Sequence, residues 1–252
     1  MPIPDRQQTD IGHPRWSVLV TDDASRTLYD PHTTVGFHSG CGAVSETQWV
    51  YLRGGGVADR LSAGQPTSVL EIGVGLGLAL LMTCDAALQG DASLRYVGLE
   101  PNRLPGSVLR HLRYGGHLFA PELFDRWIAG IDSPVDRGND DDPAIRLDLA
   151  ASLDVSVVTV GLIDWLGGRD FDPADKFDAI YFDPFDPAES PSLWTEEVFH
   201  GLTKCVRPGG RLVTYCVKRS VRDAMARAGW RVDRVPGPPG GKRQVAVATF
   251  PK

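Results

Sequence analysis

Apolar and polar positions fall into two alternating patterns along most of the chain. "TSVLEIG", "LRYVGLE", "FDAIYFD" and "RLVTYCV" are short apolar runs rich in β-branched and aromatic residues, and read as strands. Helical stretches separate them. "LGLALLMTCDAAL" is apolar all round, which predicts a buried helix. "GSVLRHLRYG" and "PELFDRWIAG" are amphipathic, and "WTEEVFHGLTKCV" and "SVRDAMARAG" are further helices. Strands alternating with helices predict an α/β fold with a mainly parallel sheet covered on both faces. "WRVDRV" and "QVAVATF" close the chain, joined by "PGPPGGKR". That link is too short for a crossover, so the last strand is expected to run antiparallel. "IRLDL" and "DVSVVTV" form another candidate strand pair, and "IDSPVDRGNDDDPA" reads as an exposed acidic loop.

The start of the chain has a different rhythm. "RWSVLV" and "TLYD" flank the turn-rich "TDDAS" and predict a hairpin. In "SETQWVYLRGGGVADRL", Ser45 and Gln48 have capping-box spacing, and Val50, Tyr51, Val57 and Leu61 form a helical stripe interrupted by glycines. Residues 1–62 are expected to form an N-terminal extension packed on a main domain of residues 63–252.

Composition narrows this picture. Of 252 residues, 42% are hydrophobic and 23% charged, as in ordinary globular proteins. No apolar run is long enough to span a bilayer, and the first residues lack the apolar core of a signal peptide. The four cysteines are widely spaced without a CxxC pair, which predicts reduced thiols, no metal site and a cytoplasmic location. The net charge of −6 is unevenly spread. Residues 201–252 carry twelve Lys and Arg against two acids, so this segment is +10 and the remainder −16. Such asymmetry marks a candidate polyanion-binding face, the plain alternative being a solvated helix face.

Chemistry concentrates at two strand ends. "VLEIGVGLG" places Glu71 and then Gly73, Gly75 and Gly77 between a strand and a helix. The glycines permit a sharp turn and close approach of a ligand. Glu71 would repel a pyrophosphate but suits a cationic ligand, which favours S-adenosylmethionine over a dinucleotide. Glu100 ends the next strand, where an acid can accept hydrogen bonds from ribose hydroxyls. A tight turn with an incidental acid is the alternative.

"FDAIYFDPFDPAESPSLW" ends a strand on Asp183, continues through prolines at 184, 187 and 191, and finishes on Trp194. Prolines fix φ, so this loop is built to hold one shape. Asp183 shares the carboxyl edge of the sheet with Glu71 and Glu100. A carboxylate there can align an amine and accept or relay its proton. Trp194 could wall the cavity or stack on a base.

These residues, with "TLYDPHTTVGFHSGCGAVSETQWVYL", "RPGGRLVTYCVKRSVRDAMARAGW" and "PGPPGGKRQV", resemble one family from about Thr27 onward. The family is that of the tRNA 5-methylaminomethyl-2-thiouridine methyltransferases. The resemblance implies a Rossmann-like class I methyltransferase fold, with a mainly parallel seven-stranded sheet and an antiparallel last strand. It implies methyl transfer from S-adenosylmethionine to the aminomethyl nitrogen of the wobble uridine, by a standalone methyltransferase without the flavin oxidase fused to some members. Its implied partners are tRNA and the enzymes that install the aminomethyl group. By resemblance, Glu71, Gly73, Gly75 and Glu100 hold the cofactor, Glu46 and Thr47 close over it, and Asp183 meets methyl donor and amine. Lys218 falls where standalone members have a lysine, with tRNA phosphate contact or support of the catalytic loop as its role. Arg222, Lys242 and Arg243 are candidate tRNA contacts within the basic segment.

The sequence also departs from the family. Leu162 stands where an acid usually faces the adenine amino group, which transfers that role to Asp164 or to backbone groups. Pro184, Asp186 and Ser190 replace the usual glycine, alanine and asparagine. Two rival readings follow: another amine transferase on this sheet, or a cofactor-binding protein that binds RNA without catalysis. Cys84 reads as core, His38 as structural or surface with a place facing the pocket as the alternative, and Trp49, Trp165 and Trp230 as core or rim.

Overall fold

The computed structural model describes residues 6–33, 35–136, 143–167 and 169–251. The expected acidic loop lies partly outside them, at residues 137–142. The chain opens with β1 (Gln8–Asp10), β2 (Ser17–Val20), β3 (Arg26–Asp30) and β4 (Val35–Gly36), an antiparallel four-stranded sheet in chain order. The expected hairpin is its β2–β3 centre.

Helix α1 (Ala43–Thr47) follows, then a π-helical turn at Gln48–Arg53, and α2 (Val57–Ser62). The expected capping box does not form, because Ser45 lies inside α1 and Gly42 occupies the cap position. Asp23, from the β2–β3 turn, supplies the missing acceptor. Its Oδ2 accepts the Ser45 amide at 2.8 Å, and its Oδ1 accepts the Thr21 hydroxyl at 2.8 Å. The N-terminal sheet and α1 are thereby fastened together.

The remaining elements are β5 (Thr67–Ile72), α3 (Leu78–Gln89), β6 (Leu94–Leu99), α4 (Gly106–Leu109), α5 (Glu122–Ile131), β7 (Ala144–Leu147), β8 (Leu153–Val158), α6 (Leu162–Leu166), β9 (Phe177–Phe182), α7 (Glu196–Thr203), β10 (Val206–Thr214), α8 (Arg219–Arg227), β11 (Arg231–Pro236) and β12 (Gln244–Thr249). They build one sheet ordered β11-β12-β10-β9-β5-β6-β8-β7. The five strands from β10 to β8 are mutually parallel, and β12 is antiparallel between β10 and β11, as expected. The sheet has eight strands rather than seven. β7 pairs antiparallel with β8, covering an edge that would otherwise be open.

Side chains alternate across the central strands, as period-two geometry requires. Val69, Tyr96, Tyr181 and Val213 face one apolar layer with α3 and α5, which Trp16, Val18 and Leu28 of the N-terminal sheet also join. Leu70, Ile72, Ile180, Phe182 and Leu212 face the other, with α7 and α8. Among the described residues, no helix is long and apolar enough to cross a membrane.

Candidate active site

The carboxyl ends of β5, β6 and β9 open into a cavity of about 580 Å³. That edge, outside the strand ends of an open α/β sheet, is where such folds hold ligands. The turn after β5 forms the floor. Gly73, Gly75 and Gly77 all have positive φ, and a Cβ on Gly73 would stand 2.7 Å from the Asp183 carbonyl oxygen. The turns after β5 and β9 therefore abut, tied further by the Asp183 amide donating to the Ile72 carbonyl at 3.0 Å. Gly73 and Gly75 line the cavity. Gly77 does not; it begins α3, where a Cβ would strike the ring of buried Trp127.

Glu100 follows β6 and lines the cavity. Its Oε2 accepts the Gly75 amide and its Oε1 the Asn102 amide, at 2.9 and 2.8 Å. Each oxygen keeps a lone pair for a hydroxyl donor. Glu71 is elsewhere. The last residue of β5 is Ile72, so Glu71 lies one pleat earlier and points with Val69 into the α3 layer. Its Oε2 accepts the Tyr96 hydroxyl at 2.8 Å, and burial pushes its pKa well above the carboxylate range. The expectation that Glu71 meets the ligand is corrected to a buried carboxyl beneath the glycine turn.

Asp183 lines the cavity directly after β9. Burial pushes its pKa up to about 7, assisted by the charge of Glu46 and opposed by a hydrogen bond from Tyr51 and the charge of Lys242. Its loop is held from behind. The Phe185 carbonyl accepts Trp194 Nε1 at 2.9 Å and Ser190 Oγ at 2.6 Å, while Tyr215 Oη donates to the Pro184 carbonyl at 2.9 Å. Trp194 is thus buried against Phe182 and Tyr215 and props the loop from outside the cavity, correcting its expected place as a wall or stacking platform. The side chain that the loop does present at the mouth is Phe185, 52% exposed and in ring contact with Phe37.

The N-terminal extension supplies the facing wall through Val35, Gly36, Phe37, His38, Ser39, Glu46 and Tyr51. Glu46 Oε2 accepts the Ser39 amide at 2.9 Å, and Glu46 Oε1 pairs with Lys242 Nζ at 3.1 Å. Thr47 is buried behind this wall and does not reach the cavity. His38 lines it, held to Thr27 Oγ1 at 3.1 Å through Nδ1, and burial lowers its pKa.

The basic candidates separate. Lys242 lines the cavity, whereas Lys218 pairs with Asp186 Oδ1 at 2.6 Å and braces the loop after β9. Arg222 donates to the Val217 carbonyl, and Arg243 is exposed. Asp164 is exposed on α6 outside the cavity, and Gly161 and Leu162 line it instead.

The family model Methyltransf_30, described as S-adenosyl-L-methionine-dependent methyltransferase, matches residues 145–251. The chain is 30% identical over 229 residues to the tRNA 5-methylaminomethyl-2-thiouridine biosynthesis bifunctional protein MnmC of Cupriavidus necator, covering 88% of this chain and 33% of that protein. It is 31% identical over 227 residues to the MnmC of Polaromonas naphthalenivorans, covering 86% and 33%.

Residues 145–251 carry an S-adenosyl-L-methionine-dependent methyltransferase domain.

This methyltransferase spans about a third of the length of the curated relatives it matches. Its fold is shared with MNMC2 from Aquifex aeolicus, at a TM-score of 0.70 and 18% identity, covering 98% of this chain and 73% of that one. Spermidine synthase from Thermotoga maritima has the same architecture, at a TM-score of 0.52 and 14% identity, covering 97% and 72%. The family resemblance read from the sequence is therefore borne out. Among the cavity residues that the sequence did not single out are Tyr51, read only as part of a helical stripe, Phe37 and Phe185. The last two stand within stretches that carry the resemblance, and an aromatic next to glycines or prolines in a loop is the signal that was available.

Proposed function

We propose that this methyltransferase transfers a methyl group to the aminomethyl nitrogen of a modified wobble uridine in tRNA. Asp183 carries the reading. An alkylammonium has a pKa of about 10.4 and no lone pair until it loses a proton. A carboxylate tuned to about 7 is a better acceptor for that proton than one at its ordinary 3.8. The loop braced by Trp194, Ser190, Tyr215 and Lys218 fixes where Asp183 meets the amine.

The residues present suit S-adenosylmethionine. The cavity volume lies in the range of small-molecule sites. Backbone of positive φ at Gly73 and Gly75 lets a ligand lie close, and Glu100 keeps acceptor capacity for ribose hydroxyls. Ile72, Leu99 and Leu162 offer apolar walls for a purine, so adenine is held by shape where an acid was expected. When bound, the cofactor supplies an electrophilic methyl group. Glu46, Asp183 and Glu189 give that region a negative balance suited to a cation. Residues 1–62 complete the wall over the domain of residues 63–252, and a tRNA substrate implies an enzyme of the cytoplasm.

The test is methylation of tRNA carrying 5-aminomethyluridine by the purified chain, with nucleoside analysis of the product. Appearance of the methylaminomethyl nucleoside supports the reading. Transfer to free polyamines but never to this tRNA, or cofactor binding without transfer, would overturn it.

A further inference from the structure

Six of the twelve basic residues of the C-terminal segment are paired with acids. Arg207 pairs with Asp178, Lys218 with Asp186, Arg227 with Glu196, and Lys242 with Glu46, at 2.6 to 3.1 Å. Arg219 and Arg231 sit within 4 Å of Asp223 and Asp233. A second stretch behaves differently. Residues 101–121, between Glu100 and Glu122, contain three arginines, two histidines and no acid. Arg103 turns inward to the Ile131 carbonyl, but Arg110, Arg113 and His117 are exposed. Arg26 reaches them from β3, donating to the His111 carbonyl at 3.0 Å. Burial, and then the charge of Arg113, lower its pKa. Among the described residues no carboxylate lies within ion-pair distance of Arg26, Arg110 or Arg113.

Two further features mark this loop as built. Arg113 adopts left-handed backbone, with φ of 54° and ψ of 39°, which is uncommon for a residue with a side chain. Phe119, in the same loop, is 75% exposed. Its backbone is fixed from below, because buried Asp85 accepts the amides of Phe119 and Ala120 at 3.1 and 2.8 Å. An aromatic ring held outward in the same acid-free segment as uncompensated guanidinium groups offers a stacking surface together with phosphate contacts.

We infer that Arg26, Arg110, Arg113 and Phe119 form a second RNA-contacting surface, one that takes the backbone and an unpaired base of the substrate RNA away from the methyl-transfer cavity. This deepens the proposed function and rests on it. The partner is RNA because the cluster combines unpaired cations, suited to phosphate, with a ring suited to a base face. Like-charged side chains placed together without counterions favour a partner that supplies the anions.

Equilibrium binding of tRNA at several salt concentrations tests it, with the parent compared against the double variant Arg110→Gln/Arg113→Asn. Asparagine tolerates the left-handed backbone at 113. The double variant should bind about tenfold more weakly, with the salt slope reduced by roughly 0.7 to 0.9 for each phosphate no longer neutralised. Phe119→Ala should weaken binding by about fivefold or more and leave the slope unchanged. Calorimetric binding of S-adenosylmethionine should match the parent in both, which separates RNA contact from misfolding. Arg110→Glu alone, on an exposed turn, repeats the test should Asn at 113 disturb the loop. If the parent binds tRNA and all these variants bind it equally well, this surface is merely solvated and the proposed function stands. If the parent binds the cofactor but no tRNA, both readings fall.

Discussion

Lys242 Nζ lies 3.1 Å from Glu46 Oε1 and 3.9 Å from the centre of the Tyr215 ring, joining the β11–β12 loop to helix α1 across the cavity. The sequence marked Lys242 as a phosphate contact, but its ammonium is already paired with a carboxylate whose side chain is only 8% exposed. Its charge also faces Asp183 and lowers that carboxyl's pKa.

Lys242→Met should therefore raise the Asp183 pKa above about 7. Less of the carboxylate is then ionised at neutral pH, so the acidic limb of the kcat/KM profile should move to higher pH. Tyr51→Phe removes a second influence that lowers the same pKa and should move the limb in the same direction. A pH–rate series on the two variants checks this; an unmoved limb would separate Asp183 from the proton-transfer step.

Asp183→Asn keeps the shape of the side chain and removes its basicity. Loss of a general base typically costs about 10²–10⁴ in rate. The methylation rate should fall by that order while tRNA affinity changes little. In the parent, kcat/KM should rise as pH rises through about 7, since the ionised form is the acceptor. Single-turnover rates and a binding titration measure the two effects separately.

Glu100→Ala removes the acceptor for both Gly75 and Asn102 amides as well as the candidate ribose contact. Cofactor affinity should drop at least about tenfold, equivalent to about 1.4 kcal/mol. Calorimetry reads this directly. Glu71→Gln should have a much smaller effect on affinity, because that side chain bonds to Tyr96 outside the cavity.

Asp23 opposes its own burial with hydrogen bonds from Ser25, Ser45 and Thr21, which hold its pKa down to about 2. A depressed carboxyl contributes stability that is complete above its ordinary 3.8 and lost as pH falls through about 2. Asp23→Ala should lower stability at neutral pH by about 0.5 to 2 kcal/mol, the range for loss of a helix cap. Its Tm should also depend less on pH than the parent's between pH 4 and 2. Thermal melts across that range decide it.

The sheet was legible because its strands are buried on both faces and their apolar runs are bounded by turn residues. Glu100 and Asp183 were legible because each directly follows the last apolar residue of a strand. Glu71 was misplaced for a related reason. Its strand runs one residue further, to Ile72, and a one-residue shift sends a side chain to the opposite face. Lys242 was misassigned because its role depends on Glu46, a partner almost two hundred residues away, and Trp194 because its indole turns back to the Phe185 carbonyl of its own loop, a backbone contact that no residue pattern marks. The capping of α1 by Asp23 was hidden likewise: an acceptor more than twenty residues upstream leaves no local spacing to read.

Trp49 Nε1 donates to the Pro236 carbonyl at 2.8 Å, and β12 is inserted between β10 and β11. The chamber is thus closed by contacts between residues separated by nearly the whole chain. During synthesis the strands that carry Glu100 and Asp183 emerge before β12 and Lys242 exist to seat against them. Bringing such distant segments together is intrinsically slow, since loop-closure entropy opposes it before the contacts form. The parallel strands β5, β6, β8 and β9 are thus all synthesised before the residues that close the chamber, and ligand binding should report that closure.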